Sequence, residues 1–367
     1  MKPIAYVGVD YHIKSVTIAV YLPDEKAFYD TIRLTNKDSI IRKYVNKLSE
    51  QFDLKLCYEA SGSGYVFQRK MQVLGYHCDV IAPSLILKKS GNRRKNDYRD
   101  ARNLAQQYAG GQLTVVHPPS EKQESVRNLM RCRMALKESQ KRVKQQINSF
   151  VLSRDCRWGK SKWTIQHRTW LSGLFLSDSC AHSVLQEYLG LLDYLESRIK
   201  HLDQQIELLA QSEIYAESVK RLRTLKGIGT LTAMVLITEI TDFRRFSTPR
   251  ALMSFLGLIP GEKSSGETNK PVPITRTGNH RCRTLLIESV YHYIKKPRIG
   301  PKMKEAFGHV DPKTAMVATK CMHRLHKRYW ALALKGKTQQ KALVAIAREF
   351  VGFIWAIMQP PELLVTA

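Results

Sequence analysis

Two short apolar runs near the N-terminus each lead straight into a carboxylate. Residues 4–9, Ile-Ala-Tyr-Val-Gly-Val, precede Asp10, and residues 54–58, Leu-Lys-Leu-Cys-Tyr, precede Glu59. Short apolar runs bounded by polar residues read as strands, so both acids stand at strand ends. The surrounding pattern alternates. Residues 16–20 and 28–34 read as a second and third strand, joined by short polar turns into a meander of hairpins. Residues 39–52 have helical spacing, 65–74 form a helix ended by Gly75, and 77–81 form a fifth strand stopped by Pro83. Asn96 suits the N-cap of a helix running to Tyr108. Asp97 and Asp100 lie three apart at the start of that helix and share one face. Two strand-end acids facing a helical pair make a hard oxygen-ligand cluster of the kind that holds Mg²⁺.

Acids are scarce elsewhere. The chain has 59 Lys and Arg against 32 Asp and Glu, a formal net charge of +27. That charge points to a polyanion, either nucleic acid or an anionic membrane surface. The membrane is the weaker choice, because no apolar run is long enough to span a bilayer; the best stretch, 342–358, carries Arg348 and Glu349 in its middle. The start, Met1-Lys2-Pro3, leads directly into a strand and lacks a signal-peptide pattern. The seven cysteines are scattered and none are paired at zinc-ligand spacing, so they read as reduced packing residues of a cytosolic protein. For a cluster of carboxylates in so basic a protein, the obvious substrate is a phosphodiester.

The middle of the chain is helical. Leu185, Tyr188, Leu192, Leu195, Ile199, Leu202, Ile206 and Leu209 alternate steps of three and four, which is a heptad seam. Residues 126–151 form a second long helix with a patchier seam. Between the two lies an aromatic, basic stretch with Trp158, Lys160, Lys162, Trp163, His167, Arg168 and Trp170. The pair is either a helical hairpin packed on itself or a dimerisation arm, and a heptad alone does not decide between them. Further on, Gly227-Ile228-Gly229 separates two amphipathic helices, as in a helix-hairpin-helix element whose glycines let backbone approach a phosphate. A plain helix–helix turn is the competing reading. Ser264-Ser265-Gly266 then reads as a flexible, exposed hydroxyl loop, followed by Arg276, His280, Arg281 and Arg283, which suit phosphate. The candidate nucleic-acid contacts are Gly227, Gly229, Arg276, Asn279 and Arg281.

Three antiparallel strands followed by strand–helix alternation is the order of the ribonuclease-H-like fold. The expected class is therefore α/β plus α. A ribonuclease-H-like domain spans 1–115, a helical coiled-coil spacer 116–215, and a mainly helical domain with a helix-hairpin-helix-like element 216–367. Each acid alone has an ordinary reading: Asp10 as a turn cap, Glu59 as a surface partner of Lys55, Asp97 and Asp100 as partners of Arg94 and Arg99. Together, at the ends of the right elements, they read as a site. His12, two residues after Asp10, reads first as a packing or solvent histidine and second as a metal flank.

The ordered set of motifs resembles the DEDD transposases of insertion sequences, the family that includes Piv-type DNA invertases. It comprises Val9-Asp10-Tyr11-His12, Tyr58-Glu59-Ala60 and Lys95-Asn96-Asp97-Tyr98-Arg99-Asp100-Ala101. After the spacer come Gly227-Ile228-Gly229, Phe255-Leu256-Gly257-Leu258-Ile259-Pro260, Ser264-Ser265-Gly266 and Ile274-Thr275-Arg276-Thr277-Gly278-Asn279. The resemblance implies a Mg²⁺ site at Asp10, Glu59, Asp97 and Asp100 and a serine nucleophile directly before a glycine, which is Ser265, with Ser264 as the alternative. It also implies strand exchange through a covalent phosphoserine in a homo-oligomer (dimer or tetramer), guided by a structured RNA. The cell would be bacterial or archaeal, with the protein in the cytoplasm at the nucleoid. Two positions depart from the family's pattern: Asn96 stands where Thr is usual, and Asn269-Lys270-Pro271-Val272-Pro273 replaces a stretch usually denser in Arg and Gly. The alternative function is a Mg²⁺-dependent structure-specific nuclease or a non-catalytic nucleic-acid-binding protein.

Overall fold

The structure is a computed structural model. It describes residues 2–60, 62–83, 86, 96–265 and 268–360, with the backbone alone for 262–265 and 268–271. The chain forms two compact units, Met1–Pro119 and Ser120–Ala367.

In the first unit, β1 (Ile4–Tyr11), β2 (Ser15–Leu22) and β3 (Ala27–Thr35) form an antiparallel meander. Helix α1 (Asp38–Gln51) leads to β4 (Asp53–Glu59), which pairs parallel with β1. Helix α2 (Val66–Val73) leads to β5 (Cys78–Ile81), parallel to β4. Helix α3 (Asp97–Ala109) is followed by a short strand β6 (Val115–Val116), antiparallel to β5. The resulting sheet has the order β3-β2-β1-β4-β5-β6. The meander, the two parallel strands and all three helices lie where the sequence pattern placed them; β6 is too short to leave a periodic signal.

Alternation along the strands decides what faces what. Ala5, Val7, Val9 and Tyr11 of β1 and Leu56 and Tyr58 of β4 join Ile41, Val45 and Leu48 of α1 and Phe67 and Met71 of α2 in one core. The opposite face carries Cys57 and Ile81, which pack with Leu104 of α3, so α3 covers it. Gly8 lies on that face, under α3. A Cβ there would stand 2.3 Å from the Ala101 carbonyl oxygen and 2.4 Å from the Ala105 nitrogen. The helix backbone therefore rests directly on β1, with Ala101 and Ala105 fully buried. Asp10 is two residues from Gly8 and Glu59 two from Cys57, so both acids belong to the α3 face.

The second unit opens with α4 (Glu121–Leu152), started by a Ser120/Gln123 capping box. A short α5 (Ile165–Ser172) precedes α6 (Ser179–Ala210), capped by Asp178. Arg133 pairs with Asp203 and Lys144 with Glu196, so α4 and α6 run antiparallel. The heptad seam of α6 is covered by α4 of the same chain. Leu185, Leu192 and Leu195 pack with Val143, Ile147 and Val151, while Ile206 joins Met130 in the main core.

Beyond them lie α7 (Glu213–Arg223), α8 (Thr230–Ile240) and α9 (Pro249–Phe255). A hairpin of β7 (Pro260–Ser265) and β8 (Thr268–Ile274) follows, then α10 (His280–Ser289), a 3-10 turn (Val290–Tyr293), α11 (Pro301–Gly308), α12 (Pro312–Leu334) and α13 (Gln339–Ile357). Helix α8 is buried on every side from Ala233 to Ile240, as befits a core helix. Among the described residues no helix is long and apolar enough to cross a membrane.

The β7–β8 hairpin corrects the expectation of a flexible loop. Ser264 pairs with Asn269 and Ser265 with Thr268. Serine, glycine and two prolines hide the strand period here. A two-stranded ribbon tolerates Pro271 and Pro273 because each strand has a free edge.

Gly8→Ala should force α3 off β1. Overpacking of this kind costs about 1–3 kcal/mol, and the clashing atoms are backbone, which cannot rotate away. Urea unfolding of the full chain should show a lower midpoint for the first unit; an unchanged midpoint would mean α3 is not seated on Gly8.

Candidate functional site

Asp10, near the end of β1, and Glu59, the last residue of β4, are both half-buried. They follow the last paired rung, Val9 with Tyr58, and so stand side by side at the same end of neighbouring parallel strands. Asp97 is the first residue of α3. Its position is fixed by Asn96, whose side chain accepts hydrogen bonds from the Tyr98 and Arg99 nitrogens. Asn at this N-cap performs the capping that Thr also performs, so the departure from the family's usual residue leaves the helix start intact. Asp100 lies one turn on, also half-buried.

The tightest group is Asp10, His12 and Asp97. One ligand atom from each lies within 4.8 Å of the other two. His12 Nε2 is 3.2 Å from Asp10 Oδ2 and 3.7 Å from Asp97 Oδ1. Arg33 Nη2 stands 3.7 Å from Asp97 Oδ2. The turn carrying His12 is held by Asn36, whose Nδ2 donates to the carbonyls of His12 and Ile13 at 3.0 and 3.2 Å. Glu59 shares this face of the sheet and Asp100 lies one turn along α3, and both fall outside the tight group. His12, read from the sequence first as a packing or solvent histidine and second as a metal flank, lies between the two aspartates. Its signal was the two-residue spacing from Asp10, which puts both side chains on one face of an extended segment. Two carboxylates and an imidazole with converging donor atoms fit a divalent cation, and the carboxylate oxygens are the donors Mg²⁺ takes.

In the second unit the segment around Ser265 has a locked base. Gly257, at φ +65°, has Thr277 so close that a Cβ would stand 2.0 Å from its carbonyl oxygen. Gly278, at φ +79°, meets the Phe255 carbonyl in the same way, also at 2.0 Å. The nitrogens of Thr275 and Arg276 donate to the carbonyls of Ile259 and Gly257. Arg283 Nη1 donates to the carbonyls of Leu256 and Thr277 at 2.8 and 3.1 Å, so this arginine fastens the loop. Arg276 is exposed in the left-handed region at φ +56°, and Arg281 is half-buried in the first turn of α10. Ser265 ends β7; its side chain, that of Ser264, and all of Gly266 lie outside the described residues.

Asn279 caps α10 by accepting from the Arg281 and Cys282 nitrogens, while its Nδ2 donates to Glu239 Oε2 at 2.7 Å. Glu239 is buried in α8, and Arg131 of α4 grips it through two hydrogen bonds of 2.7 and 2.8 Å. Arg127 donates to the Thr238 carbonyl beside it. Burial alone would push the Glu239 carboxyl up, but Arg131, Asn279 and Arg127 together hold it below the ordinary glutamate range. Sequence reasoning missed this network, because its members lie on three helices far apart in the chain. Gly227, at φ +91°, lets the backbone lie against the Ser289 carbonyl, 2.4 Å from where a Cβ would be. Gly229 is the N-cap of α8 and has open space at its Cα.

Two family models match. Residues 7–154 match a DEDD transposase model of the IS110 type, and residues 219–306 match the "Transposase IS116/IS110/IS902 family". The inferred transposase y4qE of Sinorhizobium fredii is 36% identical over 358 residues, 96% of this chain and 88% of its own length. The chain belongs to the IS110-type DEDD transposase family. Further relatives are the transposase for insertion sequence element IS1533 of Leptospira borgpetersenii and that for IS1111A of Coxiella burnetii. The first is 28% identical, covering 92% of this chain and 99% of the relative. The second is 24% identical, covering 83% and 77%. The first matched stretch contains Asp10, Glu59, Asp97 and Asp100, and the second contains Gly227, Ser265 and Arg276. Membership in a transposase family gives this chain the general activity class of cutting and rejoining DNA.

The depressed carboxyl of Glu239 has a pH consequence. A group held below its unfolded value stabilises the fold fully above that value and loses the contribution as pH falls through the folded one. Glu239→Gln should cost about 1–3 kcal/mol at neutral pH and should flatten the loss of stability below roughly pH 4. Chemical denaturation at pH 7 and pH 3.5 measures both; an equal gap between variant and wild type at the two pH values would contradict the ion-pair account.

Proposed function

We propose that this transposase cleaves and rejoins DNA with a Mg²⁺-binding carboxylate site in its first unit and Ser265 as the nucleophile in its second. The convergence of Asp10, His12 and Asp97 donor atoms on the α3 face, with Glu59 beside Asp10, is the observation that carries the metal reading. The sheet order and the strand-end placement of the acids support a ribonuclease-H-like assignment for this unit. Asp10, Glu59, Asp97 and Asp100 would hold the ion, which would supply charge neutralisation at the phosphate and a lowered barrier to loss of the leaving oxygen.

The residues of the chain have separate tasks in this scheme. Asp10 and Asp97 fix the cation's place because a strand end and a capped helix start position them. Ser265 Oγ attacks the phosphorus, the P–O bond to the DNA 3′-oxygen breaks, and the proton lost by Oγ ends on that departing oxygen as a 3′-hydroxyl. The product is a serine phosphodiester. A 3′-hydroxyl of another strand then attacks that phosphorus and Ser265 Oγ leaves, so one ester replaces another and no hydrolysis intervenes. Arg276 and Arg281 would meet charge on the non-bridging oxygens. The locked base of the hairpin favours this role, since a nucleophile needs a fixed approach. The family resemblance further supports a structured guide RNA, a homo-oligomeric working form, a coiled-coil role for the α4–α6 pair, and a location at the nucleoid.

Asp10→Ala and Asp97→Asn should abolish strand cleavage while nucleic-acid binding persists. Ser265→Ala should bind DNA, form no covalent protein–DNA adduct on a denaturing gel and yield no recombinant. Ser264→Ala should keep activity. Wild-type strand exchange by the double serine variant would leave a metal-and-water nuclease as the correct reading.

A further inference from the structure

Three of the five tryptophans of the chain, Trp158, Trp163 and Trp170, fall within the connection between α4 and α6. The two helices are 32 residues each. Their far half has its own apolar cluster, separate from the main core, so the connection is the tip of a long antiparallel arm. The tip is well structured. His167 is buried at its centre, with Trp170 stacked on it at 5.7 Å and Trp163 edge-on at 5.2 Å. Trp158 packs on Trp170 at 5.3 Å. His167 Nδ1 accepts a hydrogen bond from the Trp163 nitrogen, and that bond holds Trp163 at φ +65°, a conformation costly for so bulky a residue. Burial, with Lys162 and Arg168 nearby, lowers the His167 pKa, so the centre of the cluster is uncharged at neutral pH.

The rim of this cluster is basic and apolar. Between residues 153 and 177 the chain has five cations, Arg154, Arg157, Lys160, Lys162 and Arg168, against one anion, Asp155. Arg157 is paired with Asp155 and Arg168 with Asp193. Lys160 and Lys162 are exposed and have no carboxylate partner among the described residues, whereas Arg154 lies over the Phe150 ring and donates to the Phe150 carbonyl. Ile165 and Phe175 are 86% and 84% exposed, and all three tryptophans keep part of their surface open. Neither the carboxylate site nor the Ser265 segment uses any of these groups.

We infer that the tip of the α4–α6 arm is a binding site for single-stranded nucleic acid. The exposed cations Lys160 and Lys162 take the phosphates, and Phe175 with the open tryptophan surfaces offers stacking platforms for unpaired bases. The excess of positive charge selects a polyanion over a second copy of the arm, which would bring like charges together. Stackable rings beside the cations select unpaired bases over a duplex, whose bases are already stacked. The inference rests on the proposed nucleic-acid-binding role of the protein but not on its metal or serine chemistry.

The test uses the full chain and three labelled probes: a 20-nucleotide oligo-dT, a 20-nucleotide oligo-U and a 20-base-pair duplex. Lys160→Glu with Lys162→Glu should weaken binding to the single strands at least about tenfold at moderate salt and lower the salt slope by roughly 1.4. Phe175→Ala should weaken single-strand binding and leave the duplex unchanged. Circular dichroism checks that the variants fold; all three substitutions are at exposed positions. Loss on oligo-U alone assigns the site to RNA, and loss on both strands assigns it to either source. Equal loss on single strands and duplex for Phe175→Ala overturns the base-stacking assignment. Unchanged affinities, or a change only in sedimenting mass, overturn the proposal and make the tip a protein contact. Failure of the wild type to bind any probe would overturn the broader nucleic-acid reading as well.

Discussion

The carboxylate face of the first unit depends on the seating of α3 on β1 at Gly8. A side chain at that position would occupy the space of the Ala101 carbonyl and the Ala105 nitrogen, so the absence of one lets a helix backbone touch a strand. With Ala101 and Ala105 beneath it, α3 lies low enough for Asp97 at its first turn to come within reach of His12, itself hydrogen-bonded to Asp10. Strand alternation does the rest. Asp10 and Glu59 share the α3 face because each is two residues from a residue that packs beneath or beside that helix.

The second unit relies on a different device, a buried ion pair that joins three helices. Glu239 of α8, Arg131 of α4 and Asn279 at the start of α10 form one hydrogen-bonded set. A buried carboxylate without these partners would be strongly unfavourable, so the set fixes where α10 begins. The two close backbone contacts at Gly257 and Gly278 then hold the β7–β8 hairpin against that start. The hairpin bearing Ser265 therefore projects from a base defined by backbone packing and a charge network, neither of which is local in sequence.

That difference explains what was legible in the sequence. The first five strands, the helices of the first unit, and the placement of Asp10, Glu59, Asp97 and Asp100 at element ends all follow from local periodicity and from one N-cap, Asn96. The heptad seam of α6 was equally plain, although its partner, α4 of the same chain, was not, since an apolar stripe does not name what covers it. The approach of Asp97 to His12 was not legible, because it depends on how α3 seats on the sheet. The β7–β8 hairpin was read as a loop because its prolines and serines mask a strand period. The Glu239 network was invisible, as its contacts join residues 40 and 108 positions apart.

The most direct measurement is the binding of Mn²⁺, as a spectroscopic substitute for Mg²⁺, to the full chain without DNA, followed by electron paramagnetic resonance. Wild type and Ser265→Ala should bind the ion alike, Asp97→Asn should bind it at least about tenfold more weakly, and Mg²⁺ should compete. Equal Mn²⁺ affinity in wild type and Asp97→Asn would contradict a cation site built by seating α3 on β1.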